Sequence, residues 1–149
     1  MAIGRVDIRY RRVDCTPPEA VQLAIDNNVG VGGWLRLVVE KTAGFGGITL
    51  VQMRTSGTGT WLSLTNKFGS AWEISTTPSL PWDFQFTSDS KQSVQALSLV
   101  NQAGKVGAIP TGVQFSLSGS TGSTDIAYNV SSKSTILSTL PTHTGQCTK

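Results

Sequence analysis

Cysteine, histidine and long apolar runs are what this sequence has least of. Its 149 residues include two cysteines, Cys15 and Cys147, and one histidine, His143. Two thiols and one imidazole at opposite ends of a chain provide no cluster of metal ligands. We therefore expect neither a metal site nor a cofactor. The pairing of the two cysteines stays open, because the geometry that a bridge needs cannot be inferred from sequence.

The motifs of common enzymes are also missing. With the only imidazole in a Ser/Thr-rich tail, no nucleophile can be paired with a base. The glycine-rich runs 29–33 and 43–47 are followed neither by Lys-Ser/Thr nor by a helical pattern, so we interpret them as turns. A pair of carboxylates at glycosidase separation stays open, but we interpret Glu40, Glu73 and Asp83 as solvent-facing strand residues. We therefore predict that the protein is not an enzyme.

Charged residues are scarce and unevenly placed. They form 14% of the chain, below the ~25% of ordinary soluble domains, and the abundance of glycine, serine and threonine is typical of all-β extracellular modules. The net charge is +3, but the N-terminal stretch 5–12 holds four of the twelve basic residues, far in sequence from the aromatic ones. Nucleic-acid surfaces interleave the two types, so we expect no nucleic-acid partner. No signal peptide or membrane-spanning run is visible, and we expect no membrane partner.

Short alternating runs recur about every ten residues, separated by Gly, Pro, Asn and Ser clusters. This pattern indicates an all-β fold, an immunoglobulin-like sandwich of two antiparallel sheets, over residues 16–118. Residues 119–149 form a Ser/Thr-rich tail that buries too little apolar surface to offset its ordering entropy. The predicted strands are 6–12, 20–25, 34–40, 48–54, 61–65, 71–75, 82–87, 96–100 and 112–118.

Alternation within these runs also predicts the core between the two sheets. A single polar substitution at Leu37 or Phe84 should threaten the fold, since burying one such side chain contributes about 1.5 to 3 kcal/mol. The predicted core residues are Val21, Leu23, Ile25, Leu35, Leu37, Val39, Val51, Met53, Leu62, Leu64, Trp72, Ile74, Phe84, Phe86, Val113 and Phe115, with Leu117 at the margin.

Trp34 is the strongest functional signal in the sequence. In the strand 34–40, alternation gives the core face to Leu35, Leu37 and Val39. Trp34 is then left on the solvent face beside Arg36. A displayed aromatic ring of this kind more often binds a ligand than packs a core.

Several segments resemble the C-terminal domain of expansins, in a matching order. Residues 6–15 resemble the Tyr-Arg-Arg-Val-x-Cys linker of that family, and 34–40 resembles its aromatic-Trp-Leu-x-Leu-x-x-Glu strand. Residues 51–54, then Trp61 and Trp72 with ten residues between them, and finally 113–115 are similar to the later strands and to the related grass pollen proteins. The resemblance implies a cell-wall, extracellular domain whose line of surface aromatics binds a cellulose-like β-glucan.

The same resemblance implies a division of the chain and a limit on its activity. Residues 1–15 correspond to the linker segment that follows an N-terminal barrel in expansins. That barrel carries the acidic residue implicated in wall loosening, and nothing upstream of Tyr10 supplies it. We therefore expect non-catalytic polysaccharide binding by a monomer. The alternative is an immunoglobulin-like structural or adhesion module that binds another protein.

Matching the aromatic line residue by residue yields two rings and one open candidate. Trp34 falls on the binding Trp of the family, and Phe68 falls where plant members have Trp and bacterial members have Tyr. Gly33 stands where the family has a further aromatic. The loop 26–33 also lacks the Lys of bacterial members. Trp82 is the candidate for a third ring, although its strand parity with core residues favours packing.

Polar neighbours of these rings have two interpretations. Arg36 and Arg54, with Glu40 and Gln52, are candidates for hydrogen bonds to sugar hydroxyls if their strands adjoin Trp34 in one sheet. They are otherwise ordinary solvated sheet residues. The remaining two tryptophans are interpreted as structural, with Trp61 packed at the sandwich edge and Trp72 in the core.

Overall fold

The computed structural model describes Ile8, Tyr10, Val13 and residues 15–17, 19–44 and 46–117. Most of the predicted strand 6–12, the tail 119–149 and Cys147 lie outside these residues.

Nine β-strands make up the regular secondary structure of the described residues, which include no helix and therefore none that could span a membrane. The all-β prediction is confirmed. The strands are β1 (Gln22–Asn28), β2 (Leu35–Glu40), β3 (Ile48–Thr55), β4 (Leu62–Ser63), β5 (Thr65–Phe68), β6 (Ala71–Ile74), β7 (Trp82–Ser88), β8 (Ser93–Val100) and β9 (Gly107–Pro110).

The strands form two antiparallel sheets, as predicted. The five-stranded sheet has the order β5-β6-β2-β1-β9, and the four-stranded sheet has the order β4-β3-β7-β8. In the five-stranded sheet Leu37 lies opposite Trp72, and Arg36 lies opposite Glu73. Leu37 and Trp72 are buried in the core. Because neighbouring side chains in a strand point to opposite faces, Arg36 and Glu73 therefore project from the outer face of this sheet.

The core between the sheets follows the predicted alternation closely. Leu35, Leu37 and Val39 of β2 pack against Phe84 and Phe86 of the facing sheet in one apolar cluster. The buried core residues in the described part of the chain also include Val21, Leu23, Ile25, Val51, Met53, Leu64, Trp72, Trp82, Val100, Ile109 and Phe115, while Ile74 and Val113 are partly buried against it.

The predicted strand 61–65 is two short strands in different sheets. Ser63 ends β4 in the four-stranded sheet, and Thr65 begins β5 in the five-stranded sheet. Leu64, between them, is buried and donates its N–H to the Val51 carbonyl at 2.9 Å. Leu62 is 38% exposed, so its assignment to the core is wrong. It lies on an edge strand of only two residues, at the point where the chain leaves its sheet.

The predicted closing strand 112–118 is also wrong over the residues described. The strand that completes the five-stranded sheet is β9, which pairs with β1. The chain beyond it runs alongside as irregular backbone, where the Val113 carbonyl accepts a hydrogen bond from the N–H of Val21 at 2.9 Å. Phe115 still reaches the core, whereas Leu117 is exposed.

Candidate functional site

Trp34 and Phe68 project from the same outer face of the five-stranded sheet. Trp34 immediately precedes β2 and lines a cavity together with Thr65 and Glu73, whose Cα atoms are paired in that sheet. Phe68 lies at the end of β5, and this residue is 66% exposed. A solvent-exposed phenyl ring contributes little to folding, and it remains available for contact with a ligand.

Arg36 lies between the two rings. Its guanidinium carbon is 5.4 Å from the centroid of the Phe68 ring, which is within the range of a cation–π contact. Phe68 is level with Val38, because both are paired with Ala71. At about 3.4 Å per residue and about 4.8 Å per strand, the Cα atoms of Trp34 and Phe68 are then roughly 17 Å apart. The line from Trp34 through Arg36 to Phe68 therefore crosses the sheet diagonally, over a span of several sugar units.

Two acidic and two basic side chains form ion pairs on this surface. The Nε atom of Arg36 is 3.1 Å from Oδ2 of Asp26, although its N–H is not directed at that oxygen. Arg36 is also 3.9 Å from Oε1 of Glu73, and Lys67 Nζ is 3.5 Å from Oε2 of Glu73. Such partly exposed pairs stabilise a fold by about 1 kcal/mol or less. Their main consequence is to orient Arg36 and to leave this part of the surface without net charge.

Lys67 and Glu73 were not among the predicted site residues. The bulge between Asn66 and Phe68 in the pairing of β5 with β6 explains this. An extra residue in one strand breaks the alternation of faces, so Lys67 contacts Glu73 while the neighbouring Phe68 is also on the outer face. Alternation alone places two consecutive residues on opposite faces, so it could not put both Lys67 and Phe68 on this surface.

Trp82 is not a third ring of this surface. It is fully buried, and its indole Nε1 donates a hydrogen bond to the Pro78 carbonyl at 2.8 Å. Trp82 belongs to β7, a central strand of the four-stranded sheet, and shares its inner face with Phe84 and Phe86. The candidate role in sugar stacking is corrected to core packing.

Arg54 also lies away from Trp34, so the condition for its role in sugar binding is not met. It belongs to β3 of the four-stranded sheet, and its buried neighbour Met53 faces the core. Arg54 therefore projects from the opposite side of the sandwich. Its guanidinium carbon is 4.4 Å from the Trp61 ring centroid, and its Nε is 3.0 Å from Asp83 Oδ2. Trp61 is thus packed against Arg54, as its structural interpretation required.

Asp83 is only 1% exposed, so its interpretation as solvent-facing is wrong. Burial raises the pKa of its carboxyl group, but hydrogen bonds from the Ser56 hydroxyl, the Ser98 N–H and Arg54 outweigh burial and hold the pKa below its ordinary value. The carboxylate is therefore charged, and it accepts hydrogen bonds from Arg54, Ser56 and Ser98. It is a structural anchor of the four-stranded sheet.

Gly33 explains why the surface has two rings. A Cβ atom built there would lie 2.8 Å from both Cβ and Cγ1 of Val29 and 3.2 Å from the Gly30 carbonyl oxygen. Non-bonded carbon atoms prefer about 3.5 to 4.0 Å. This loop conformation therefore has no room for a side chain at position 33.

A cavity of about 430 Å³ opens beside Trp34 on the same outer face. Its lining combines the indole with hydroxyl groups and one ion pair. The lining residues are Trp34, Ser63, Thr65, Lys67, Glu73, Ile74 and Ser75. The described residues include no group of three or more His, Cys, Asp or Glu side chains that could hold a metal ion.

Comparison with known proteins gives a consistent family. Residues 21–101 match the model of the expansin C-terminal domain. The chain is 25% identical over 105 residues to pollen allergen Phl p 1 of Phleum pratense, which covers 68% of this chain and 40% of that protein. It is 28% identical over 115 residues to Expansin-A10 of Oryza sativa subsp. japonica, which covers 76% of this chain and 43% of that protein. The chain thus spans about two fifths of the length of these relatives.

A solved structure supports the same architecture. The crystal structure of an apo expansin from Clavibacter michiganensis superposes with a TM-score of 0.52, over 64% of this chain and 45% of that one. At 18% identity, this likeness shows a shared fold.

Proposed function

Because the chain belongs to the expansin C-terminal domain family, we propose that it binds a cellulose-like β-glucan through the outer face of its five-stranded sheet. Trp34 and Phe68 stack on the sugar rings, and Arg36 lies between them. The binding is non-catalytic. The protein acts as a monomer in the extracellular cell wall.

The observation that carries this proposal is the exposed Phe68 ring, which lies on the same face as Trp34 and contacts the Arg36 guanidinium. A pyranose ring has an apolar face of C–H groups, while its hydroxyls point outward. A planar side chain can cover that face without desolvating the polar rim. The guanidinium of Arg36 lies over the Phe68 ring and offers N–H donors to sugar hydroxyl groups.

Magnitudes favour a polymer over a short sugar as the ligand. If each stacked ring removes about 50 Å² of apolar surface from water, each contributes ~1 kcal/mol. Two rings then provide roughly 2 to 3 kcal/mol, whereas millimolar affinity already requires about 4 kcal/mol. A long glucan that engages both rings and Arg36 together, at many positions along its length, binds better than a short one.

The charge balance of the surface favours a neutral polymer. The cations Arg36 and Lys67 are paired with the anions Asp26 and Glu73. An acidic polysaccharide would meet no excess positive charge here. Binding led by stacking should also persist at high salt, whereas binding led by unpaired cations is screened.

Depletion binding to microcrystalline cellulose tests the proposal. Phe68→Ala and Trp34→Ala should each weaken binding by about fivefold, the equivalent of one ring. Leu97→Ala is the matched control, because Leu97 is 63% exposed but lies on β8 of the other sheet. Binding should also survive 1 M NaCl. If both aromatic variants bound cellulose as tightly as the wild-type protein does, the assignment would be overturned. Binding of a protein partner through the same rings would favour the adhesion alternative.

A further inference from the structure

The cavity beside Trp34 is formed where the chain passes from one sheet to the other. Ser63 ends β4 and Thr65 begins β5, with the buried Leu64 as the pivot between the sheets. Ser63 and Thr65 therefore both line the space next to β6, where Glu73 and Ser75 complete the wall. The Ser63 hydroxyl accepts a hydrogen bond from Nε2 of Gln52 in the four-stranded sheet at 3.3 Å. This space adjoins the diagonal line of stacking residues, because Trp34 belongs to both.

The cavity is large enough to hold a sugar ring. Its volume of about 430 Å³ lies in the lower part of the ~300 to 1,000 Å³ range of ligand pockets. A glucan chain is longer than any one pocket, and in the proposed function it lies on the outer face of the five-stranded sheet. A group that hangs from the side of a chain fits the space better.

The lining has the chemistry of a sugar site. An indole wall suits the C–H face of a pyranose, and the hydroxyls of Thr65 and Ser75 can each donate and accept a hydrogen bond. Lys67 adds donors, and Glu73 adds acceptors. These two side chains are 3.5 Å apart and neutralise each other, so a neutral sugar matches the site better than a uronic acid or a phosphate.

We propose that this cavity receives a single neutral sugar branch of a substituted β-glucan whose backbone lies over Trp34 and Phe68. The inference rests on the proposed function, since the branch reaches the cavity only from a chain on that face. It narrows the substrate class from any flat glucan to one that carries single-sugar branches.

NMR titration of the full chain with two probes tests this. The probes are a glucan oligosaccharide with xylose branches and the unbranched oligosaccharide of the same backbone length, with the Trp34 indole N–H signal as the readout. The branched probe should bind about fivefold more tightly, because one added sugar gains at least one hydrogen bond and a ring contact. Equal affinity of both probes for the wild-type protein would overturn the inference.

Two surface variants test the cavity itself. Ser75→Tyr should fill it, and Lys67→Met should remove its ammonium group. Both residues are exposed, so both variants should fold. Each should lose the preference for the branched probe, and Ser75→Tyr should keep wild-type affinity for the unbranched one. A preference that survives Ser75→Tyr would place the branch elsewhere and refute the inference.

Phe68→Ala separates the cavity from the flat face. It should weaken both probes by the same factor, because Phe68 does not line the cavity. If the wild-type protein binds neither cellulose nor either probe, the proposed function fails and the cavity inference fails with it. If it binds cellulose and does not distinguish the probes, only the cavity inference fails.

Discussion

Position 33 offers a sharp test of how the loop before β2 limits the number of stacking rings. The family resemblance places an aromatic residue there, so Gly33→Trp should restore a third ring and improve binding by ~1 kcal/mol if the loop allowed it. The structure predicts instead that Gly33→Trp destabilises the fold. A Cβ atom at position 33 would meet Cβ and Cγ1 of Val29, each at 2.8 Å.

The expected loss of folding stability is larger than the possible gain in binding free energy. Forcing an extra group into occupied space destabilises a protein by about 1 to 3 kcal/mol. In a domain of this size, about 1 kcal/mol shifts the melting temperature by about 4 to 8 °C. Gly33→Trp should therefore lower the melting temperature by roughly 5 to 20 °C. The obstacle includes Val29 Cβ, which is fixed to the backbone, so rotation of the 69% exposed valine side chain does not relieve it.

A double-mutant cycle isolates this contact. Val29→Gly removes both clashing atoms, whereas Val29→Ala keeps Cβ. Gly33→Trp should therefore destabilise the wild-type and Val29→Ala proteins, but much less the Val29→Gly protein, with a coupling free energy of about 1 to 3 kcal/mol. The Val29→Gly, Gly33→Trp protein should then bind cellulose more tightly than Val29→Gly alone. Additive melting temperatures, or a Gly33→Trp protein as stable as wild type, would refute the steric account.

Two further predictions concern stability. Leu64→Ala should lower the free energy of unfolding by about 2 to 5 kcal/mol in urea titrations. Leu62→Ala should change it by less than about 1 kcal/mol, because only Leu64 is buried. Similar losses in the two variants would contradict the crossing of the chain between the sheets. Asp83→Asn should cost about 2 to 3 kcal/mol, since Arg54 loses its charged partner, with the exposed Glu40→Gln as control. Because the pKa of Asp83 is lowered in the folded state, its contribution is present above about pH 4 and is lost as the pH falls through the folded-state value. The Asn variant should therefore lose less stability between pH 5 and pH 3 than wild type does, and identical losses would contradict the role of Asp83.

Regular alternation explains what could be predicted from the sequence. In β2, the aliphatic residues Leu35, Leu37 and Val39 alternate with Arg36, Val38 and Glu40, two of which are charged, so the faces follow directly from the period of two. The same argument put Phe84 and Phe86 in the core, and it identified Trp34 as outward-facing. The fold class and the outward position of Trp34 in the candidate site therefore depend only on the local pattern of the sequence.

The pairing of strands within the sheets could not be predicted in this way. Alternation showed that Arg54 faces outward, but not that β3 lies in the sheet opposite Trp34. Which strands pair is decided by contacts between residues far apart in sequence. Local irregularity was the second obstacle. The bulge at Lys67 adds one residue to β5, which breaks the alternation of faces there. At Leu64 the alternation continues, but the chain passes from one sheet to the other.

The arrangement separates binding from folding within single strands. In β2, Leu37 belongs to the core while Arg36 belongs to the candidate site, and in β6 the same division holds between Trp72 and Glu73. Exposed ion pairs and an exposed phenyl ring contribute little to stability. Substitutions on the outer face can therefore change the number of rings or the shape of the cavity at little cost to the core. Position 33 is the exception, because its neighbour Val29 leaves no space for a side chain, and any change in ring number at that point requires a coordinated change in the loop.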